Sequence, residues 1–130
     1  MHFFDKFFVS IFTVSIKMYK NIQIIAEVKT KSPFGYVSKE SRKELFEIAN
    51  EVGDIISVHT DLRWGGSYDY LKKIRSLTNK PILAKGFHKT DKEIEKAIYC
   101  GADYVLVVGR IPKKYMKKCF IEPISLSDLK

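Results

Sequence analysis

The chain has 130 residues, 45% of them hydrophobic and 29% charged, a balance that fits one globular domain and excludes wholesale disorder. Its 23 Lys and Arg against 15 Asp and Glu give a net charge of +8, which favours anionic partners. The two cysteines, Cys100 and Cys119, and the three histidines, His2, His59 and His88, have no metal-ligand spacing; free thiols fit a reducing, cytoplasmic setting.

Residues 7–16, FFVSIFTVSI, carry no charge. The run is too short to span a bilayer. It also lacks the basic start and small-x-small site of a secretory signal. Residues 1–21 are therefore expected to form a packed helix or strand beside a domain at 22–130. Ile- and Val-rich NIQIIAEVK predicts a strand over 22–29. In SKESRKELFEIANEVG, Leu45, Ile48, Ala49 and Val52 form the stripe of an amphipathic helix, with Ser38 or Ser41 as cap and Gly53 at its end. DIISVHT predicts a second strand. GSYDYLKKIRSL predicts a second helix with Tyr70, Leu71, Ile74 and Leu77 on one face. KPILAK predicts a third strand. TDKEIEKAIYCG predicts a third helix, opened by a Thr90–Glu93 capping box and closed by Gly101. ADYVLVVG predicts a fourth strand. PKKYMKKCF reads as a short fourth helix with Pro112 in its first turn, and IEPISL as the start of a fifth strand.

Such alternation predicts an α/β fold with a parallel sheet of strands buried on both faces. An open doubly wound sheet and a (βα)8 barrel both satisfy it. No GxGxxG or GxxxxGK[ST] follows the first strand, which weakens the nucleotide-binding sheets.

The polar residues gather at the strand ends: Glu27 and Lys29, then Ser32 and Pro33; His59, Thr60 and Asp61; Lys85; Gly109 and Arg110. Alternation within a strand points Glu27 and Lys29 the same way. A lysine at a buried strand end needs a carboxylate neighbour or an anionic ligand. Taken singly, His59 reads as a strand-end histidine hydrogen-bonded to backbone, and Arg110 as a solvated loop cation.

IIAEVKTKSP resembles the first-strand motif of the indole-3-glycerol-phosphate synthase family, I-I-A-E-x-K-x-x-S-P. ISVHTD is similar to its second strand, usually written with Leu where His59 stands. GGSYDYLKKIRS follows its aromatic-x-G-S-x-x-x-L loop and helix, with Trp64 in the aromatic place. KPILAKGF and GADYVLVV resemble its third and fourth strands. The likeness runs in order over roughly residues 22 to 109.

The resemblance implies a partial TIM (βα)8-type barrel of about four βα units plus the start of strand five. It implies a carbon–carbon lyase of tryptophan biosynthesis. That activity closes the indole ring of 1-(2-carboxyphenylamino)-1-deoxyribulose 5-phosphate, with loss of carbon dioxide and water and without metal or organic cofactor. By the same resemblance Lys85 is the general acid, Lys29 holds the substrate carboxylate and Glu27 orients these cations. Ser32 contacts substrate, and Trp64, Phe87 and Leu106 surround its ring. Arg110 adds a further cation at the rim.

Three departures accompany the match. Gly86 stands where the family has Asp in K-D-F. EPISL puts Leu126 where the family's strand-five Glu is expected. Strands six to eight, with their phosphate loops, are not in the 130 residues. A half barrel leaves an apolar face and two edges open. A second copy, or a second half-barrel chain, is therefore the expected partner. The alternative is a catalytically inactive truncated relative, acting as an anion-binding or protein-interaction module. Nucleic-acid or membrane-surface binding ranks last, because the lysines are scattered and no nucleic-acid motif accompanies them.

Overall fold

The computed structural model describes residues 22–125 and 127. The N-terminal apolar segment and Leu126 lie outside the described residues. Five strands, β1 (Ile25–Val28), β2 (Ile55–His59), β3 (Ile82–Lys85), β4 (Tyr104–Val108) and β5 (Cys119–Glu122), form one parallel sheet in the order β1-β2-β3-β4-β5. Three helices, α1 (Arg42–Val52), α2 (Tyr68–Leu77) and α3 (Asp91–Tyr99), follow the first three strands. A doubly wound sheet reverses its strand order near the middle. Here each strand lies beside its predecessor, as in a barrel wall. The fold is thus α/β, a partial TIM barrel.

The two faces of the wall differ in chemistry. On the outer face Ala26 and Val28, Ile56 and Val58, Ile82 and Ala84, and Val105 and Val107 pack with Phe46 and Ala49 of α1, Leu71 and Ile74 of α2, and Ile94 and Ala97 of α3. Burying each large aliphatic side chain stabilises the fold by roughly 1.5–3 kcal/mol. On the inner face stand Glu27, Ser57, His59, Leu83, Lys85, Leu106 and Glu122, in register across the ladder. Ile25 is 47% exposed and Phe120 37% exposed, so this inner face is open among the described residues.

The helix ends follow the sequence signals. Ser41, rather than Ser38, caps α1 in a capping box with Glu44. Thr90 and Glu93 form the reciprocal box at α3. Ser67 caps α2 through the Tyr70 amide. The α1 stripe also includes Phe46, which is buried, whereas Leu77 at the end of α2 is 53% exposed.

The predicted fourth helix is absent among the described residues. Between β4 and β5 there is only a 3-10 turn, Met116–Lys118. Asp91 supplies the reason: its carboxylate accepts the amides of Lys113 (3.1 Å) and Lys114 (3.2 Å). Tyr115 then takes a left-handed conformation, φ 65°, which interrupts a helix. The fifth strand accordingly begins at Cys119, earlier than the expected IEPISL, and ends at Glu122.

Candidate active site

The carboxyl ends of β1, β2 and β3 converge on Glu27. The Lys85 ammonium donates to its Oε1 at 2.8 Å and the Lys29 ammonium lies 3.3 Å from its Oε2. His59 Nε2 lies 3.4 Å from Oε1. Register makes this meeting inevitable: Glu27 pairs Ser57, Ser57 pairs Leu83, and His59 pairs Lys85 across the ladder. Contact with His59 foremost, then with Lys85 and Lys29, holds the Glu27 carboxyl far below the ordinary glutamate range, against the opposing pull of burial. The cluster therefore keeps an ionised carboxylate among two ammonium groups.

An aromatic wall closes one side. Asp61 caps the 3-10 turn Leu62–Trp64 and forks to Arg63, at 3.1 and 2.6 Å. That ion pair holds Asp61 below its ordinary range. The turn delivers Trp64 onto the His59 ring, centroids 5.3 Å apart and nearly parallel at 4°. Phe87 meets the indole edge-on at 5.8 Å, and Phe34 does so at 6.5 Å. The pocket between cluster and wall has a volume of about 250 Å³ and is lined also by Gly86, Leu106, Val108 and Glu122. It offers cations on one side and aromatic surface on the other, the complement of an aromatic anion.

The loop after β3 departs from the expected K-D-F pattern for a visible reason. Gly86 has φ +154°, and a Cβ there would lie 2.7 Å from Thr60 Oγ1. An aspartate here would strain the backbone and press on the Thr60 hydroxyl. Instead Thr60 donates to the Lys85 carbonyl (3.1 Å), and the Thr60 amide donates to the same carbonyl (2.9 Å). Buried His88 donates through Nδ1 to the Leu106 carbonyl at 2.6 Å. These bonds tie the lysine's strand end to β2 and β4.

Burial is the main cause that lowers the His88 pKa from its ordinary 6.5. A base with a lowered folded-state pKa binds fewer protons than in the unfolded chain. Its contribution is complete above about pH 6.5 and is lost as pH falls from there towards the folded value. Urea unfolding is expected to show that acid-side decline, and His88→Asn, which tolerates the left-handed backbone (φ 48°), is expected to reduce it.

Glu27, Lys29, Lys85, Trp64, Phe87 and Leu106 share this pocket. Ser32 and Arg110 do not line it. Ser32 Oγ accepts the amides of Phe34 (3.2 Å) and Tyr36 (3.3 Å), which shapes the loop after β1. Arg110 donates to the His88 carbonyl (3.0 Å) and pairs with Asp91 at 2.8 Å. It is not a solvated loop cation, and its buried Nη2 has no partner among the described residues. His59 also differs from expectation: no backbone hydrogen bond holds its ring, and its buried Nδ1 has no partner among the described residues.

The sequence expectation looks to position 126 for a strand-five carboxylate, whereas β5 ends at Glu122, and it is Glu122 that lines the pocket. No group of three His, Cys, Asp or Glu side chains among the described residues is placed to hold a metal ion. No helix among them is long and apolar enough to cross a membrane.

Comparison with known proteins bears on what this pocket is. The family model described as indole-3-glycerol phosphate synthase matches residues 8–120. A protein of that name from Sulfurisphaera tokodaii is 40% identical over 90 residues, covering 68% of this chain and 37% of the relative. One from Campylobacter fetus subsp. fetus is 34% identical over 110 residues, covering 81% of this chain and 43% of the relative. One from Prochlorococcus marinus is 38% identical over 104 residues, covering 72% and 35%. The chain thus spans well under half the length of these curated relatives. Parallel barrel order, lysines converging on one carboxylate and an ordered match over most of the residues agree: the chain belongs to the indole-3-glycerol phosphate synthase family.

Proposed function

We propose that the pocket binds 1-(2-carboxyphenylamino)-1-deoxyribulose 5-phosphate and supports its ring closure to indole-3-glycerol phosphate. The observation that carries this reading is the Lys85 ammonium, held 2.8 Å from Glu27 in a pocket walled by Trp64 and Phe87. As the ring carbon attacks the ketone, negative charge grows on the ketone oxygen. Lys85 is the group to stabilise and protonate that oxygen. Lys29 receives the substrate carboxylate, and Glu27 holds both ammonium groups on the pocket side. Carbon dioxide then leaves. Loss of water needs a proton acceptor, and Glu122, a pocket carboxylate without a cationic partner among the described residues, suits that role. Trp64, Phe87 and Leu106 pack against the aromatic ring.

The direct test supplies the ribulose phosphate to the purified chain and follows indole fluorescence. Fluorescence that rises with protein concentration supports the lyase. Its absence from a folded chain supports a second reading, a non-catalytic relative that keeps an anion site or serves as an interaction module. Gly86, where the family pattern has a carboxylate, favours that second reading.

The open inner face and the unpaired edges of β1 and β5 among the described residues support a further part of the proposal. Additional strands complete the barrel, supplied by a second copy or by a half-barrel partner. Sedimentation of the isolated chain is expected to give more than one chain's mass; a monomer at high concentration would remove the second-copy version.

A further inference from the structure

His59 is a titratable inner-face residue that the proposed chemistry leaves unused. Its residue surface is 8% exposed. One ring nitrogen faces Glu27 Oε1 at 3.4 Å, the other is buried without a partner among the described residues, and the ring lies flat on Trp64. Oε1 is therefore shared: Lys85 holds it at 2.8 Å and His59 approaches it from β2. The same imidazole touches both working parts of the pocket, the charged cluster and the aromatic wall.

We propose that His59 is a positioning residue, acting through Glu27 and Trp64, and that protonation of its ring strengthens the binding of aromatic carboxylates in this pocket. The proposal deepens the lyase reading and rests on it for the ligand class. Neutral His59 donates weakly to Glu27 and leaves that carboxylate to Lys85. Protonated His59 competes for Oε1, which loosens Lys85 from its counter-charge and adds a positive charge beside the pocket. Both changes favour an anionic ligand, so affinity rises as pH falls. The charged groups around the imidazole are Glu27 from β1 and Lys29 just after it, Asp61 from the loop after β2, which pairs with Arg63, Lys85 from β3 and Glu122 across the pocket on β5. β4 contributes only Leu106 and Val108.

The chain carries one tryptophan, so its emission reports this stack alone. A protonated imidazole stacked on an excited indole quenches it by accepting an electron. Acidification from about pH 8 to about pH 5 is expected to lower the emission in one step. His59→Gln and His59→Leu should each abolish the step. Benzoate, used as the probe and followed by calorimetry, should bind several-fold more tightly at the acidic end. In His59→Gln that pH dependence should vanish. A step that persists in both His59 variants overturns the proposal. So does benzoate binding that is absent at both pH values, or equally pH-dependent in His59→Gln. None of these readouts needs turnover: a chain that fails on the ribulose phosphate yet shows the step refutes the lyase and not the coupling, whereas turnover without the step does the reverse.

Discussion

Lys85→Ala is expected to lower indole formation by a factor of about 10² to 10⁴, to the level of chain-free buffer where wild-type turnover is modest. The argument is geometric. Lys85 ends β3, its side chain is two-thirds withdrawn from water, and Glu27 restrains its ammonium at 2.8 Å. Alanine removes the proposed proton donor while leaving the strand, whose buried residues Ile82, Leu83 and Ala84 do not depend on the side chain. The fold should therefore survive, and the loss should fall on kcat more than on KM. Lys85→Arg is the informative companion. It keeps the charge but holds its protons too firmly to deliver one, so it should bind substrate and turn over little. Turnover in Lys85→Ala equal to that of wild type would remove Lys85 from the mechanism.

The largest structural effect is expected from Gly66→Ala. Gly66 follows the turn that carries Trp64, and it passes directly over the end of β2. A Cβ at this position would lie 1.9 Å from the His59 carbonyl oxygen, 2.4 Å from its carbonyl carbon and 2.8 Å from its Cβ. The obstacle is backbone, not the movable end of a side chain. Overpacking ordinarily costs about 1–3 kcal/mol, and a backbone obstacle belongs at or above the top of that range. For a domain of this size that corresponds to a fall in unfolding midpoint of more than about 10 °C. Any chain that still folds must displace the Trp64 turn from His59, so its tryptophan emission should lose the pH response as well. Glu47→Ala, on the exposed face of α1, is the control and should change stability by less than about 0.5 kcal/mol. An unshifted midpoint in Gly66→Ala would mean that the turn does not sit where it is described.

Much of the wall was legible before any coordinates. Apolar runs of four or five residues alternating with capped helices specify parallel strands, because a strand buried on both faces reads as a continuous apolar run and a helical crossover returns the chain to its parallel neighbour. The Thr90–Glu93 box and the Ser41 cap are chemistry between residues three apart, and such spacing is readable in one dimension. The connection after β4 was not legible in that way. PKKYMKK has a helical composition, but a carboxylate 22 and 23 residues earlier takes its amides, and no local rule anticipates Asp91.

The site divides along the same line. The amino-acid order alone determined that Glu27 and Lys29 share a face, that Lys85 ends the third strand, and which family the motifs resemble, since these are matters of alternation and spacing. Only the tertiary structure decided that one carboxylate serves Lys29, Lys85 and His59 together, that Arg110 is claimed by Asp91, and that Glu122 closes the pocket. Strand register and the path of the loops bring these groups together from residues up to 95 positions apart (27 to 122), and electrostatic partnership depends on distance in space, which linear separation does not record.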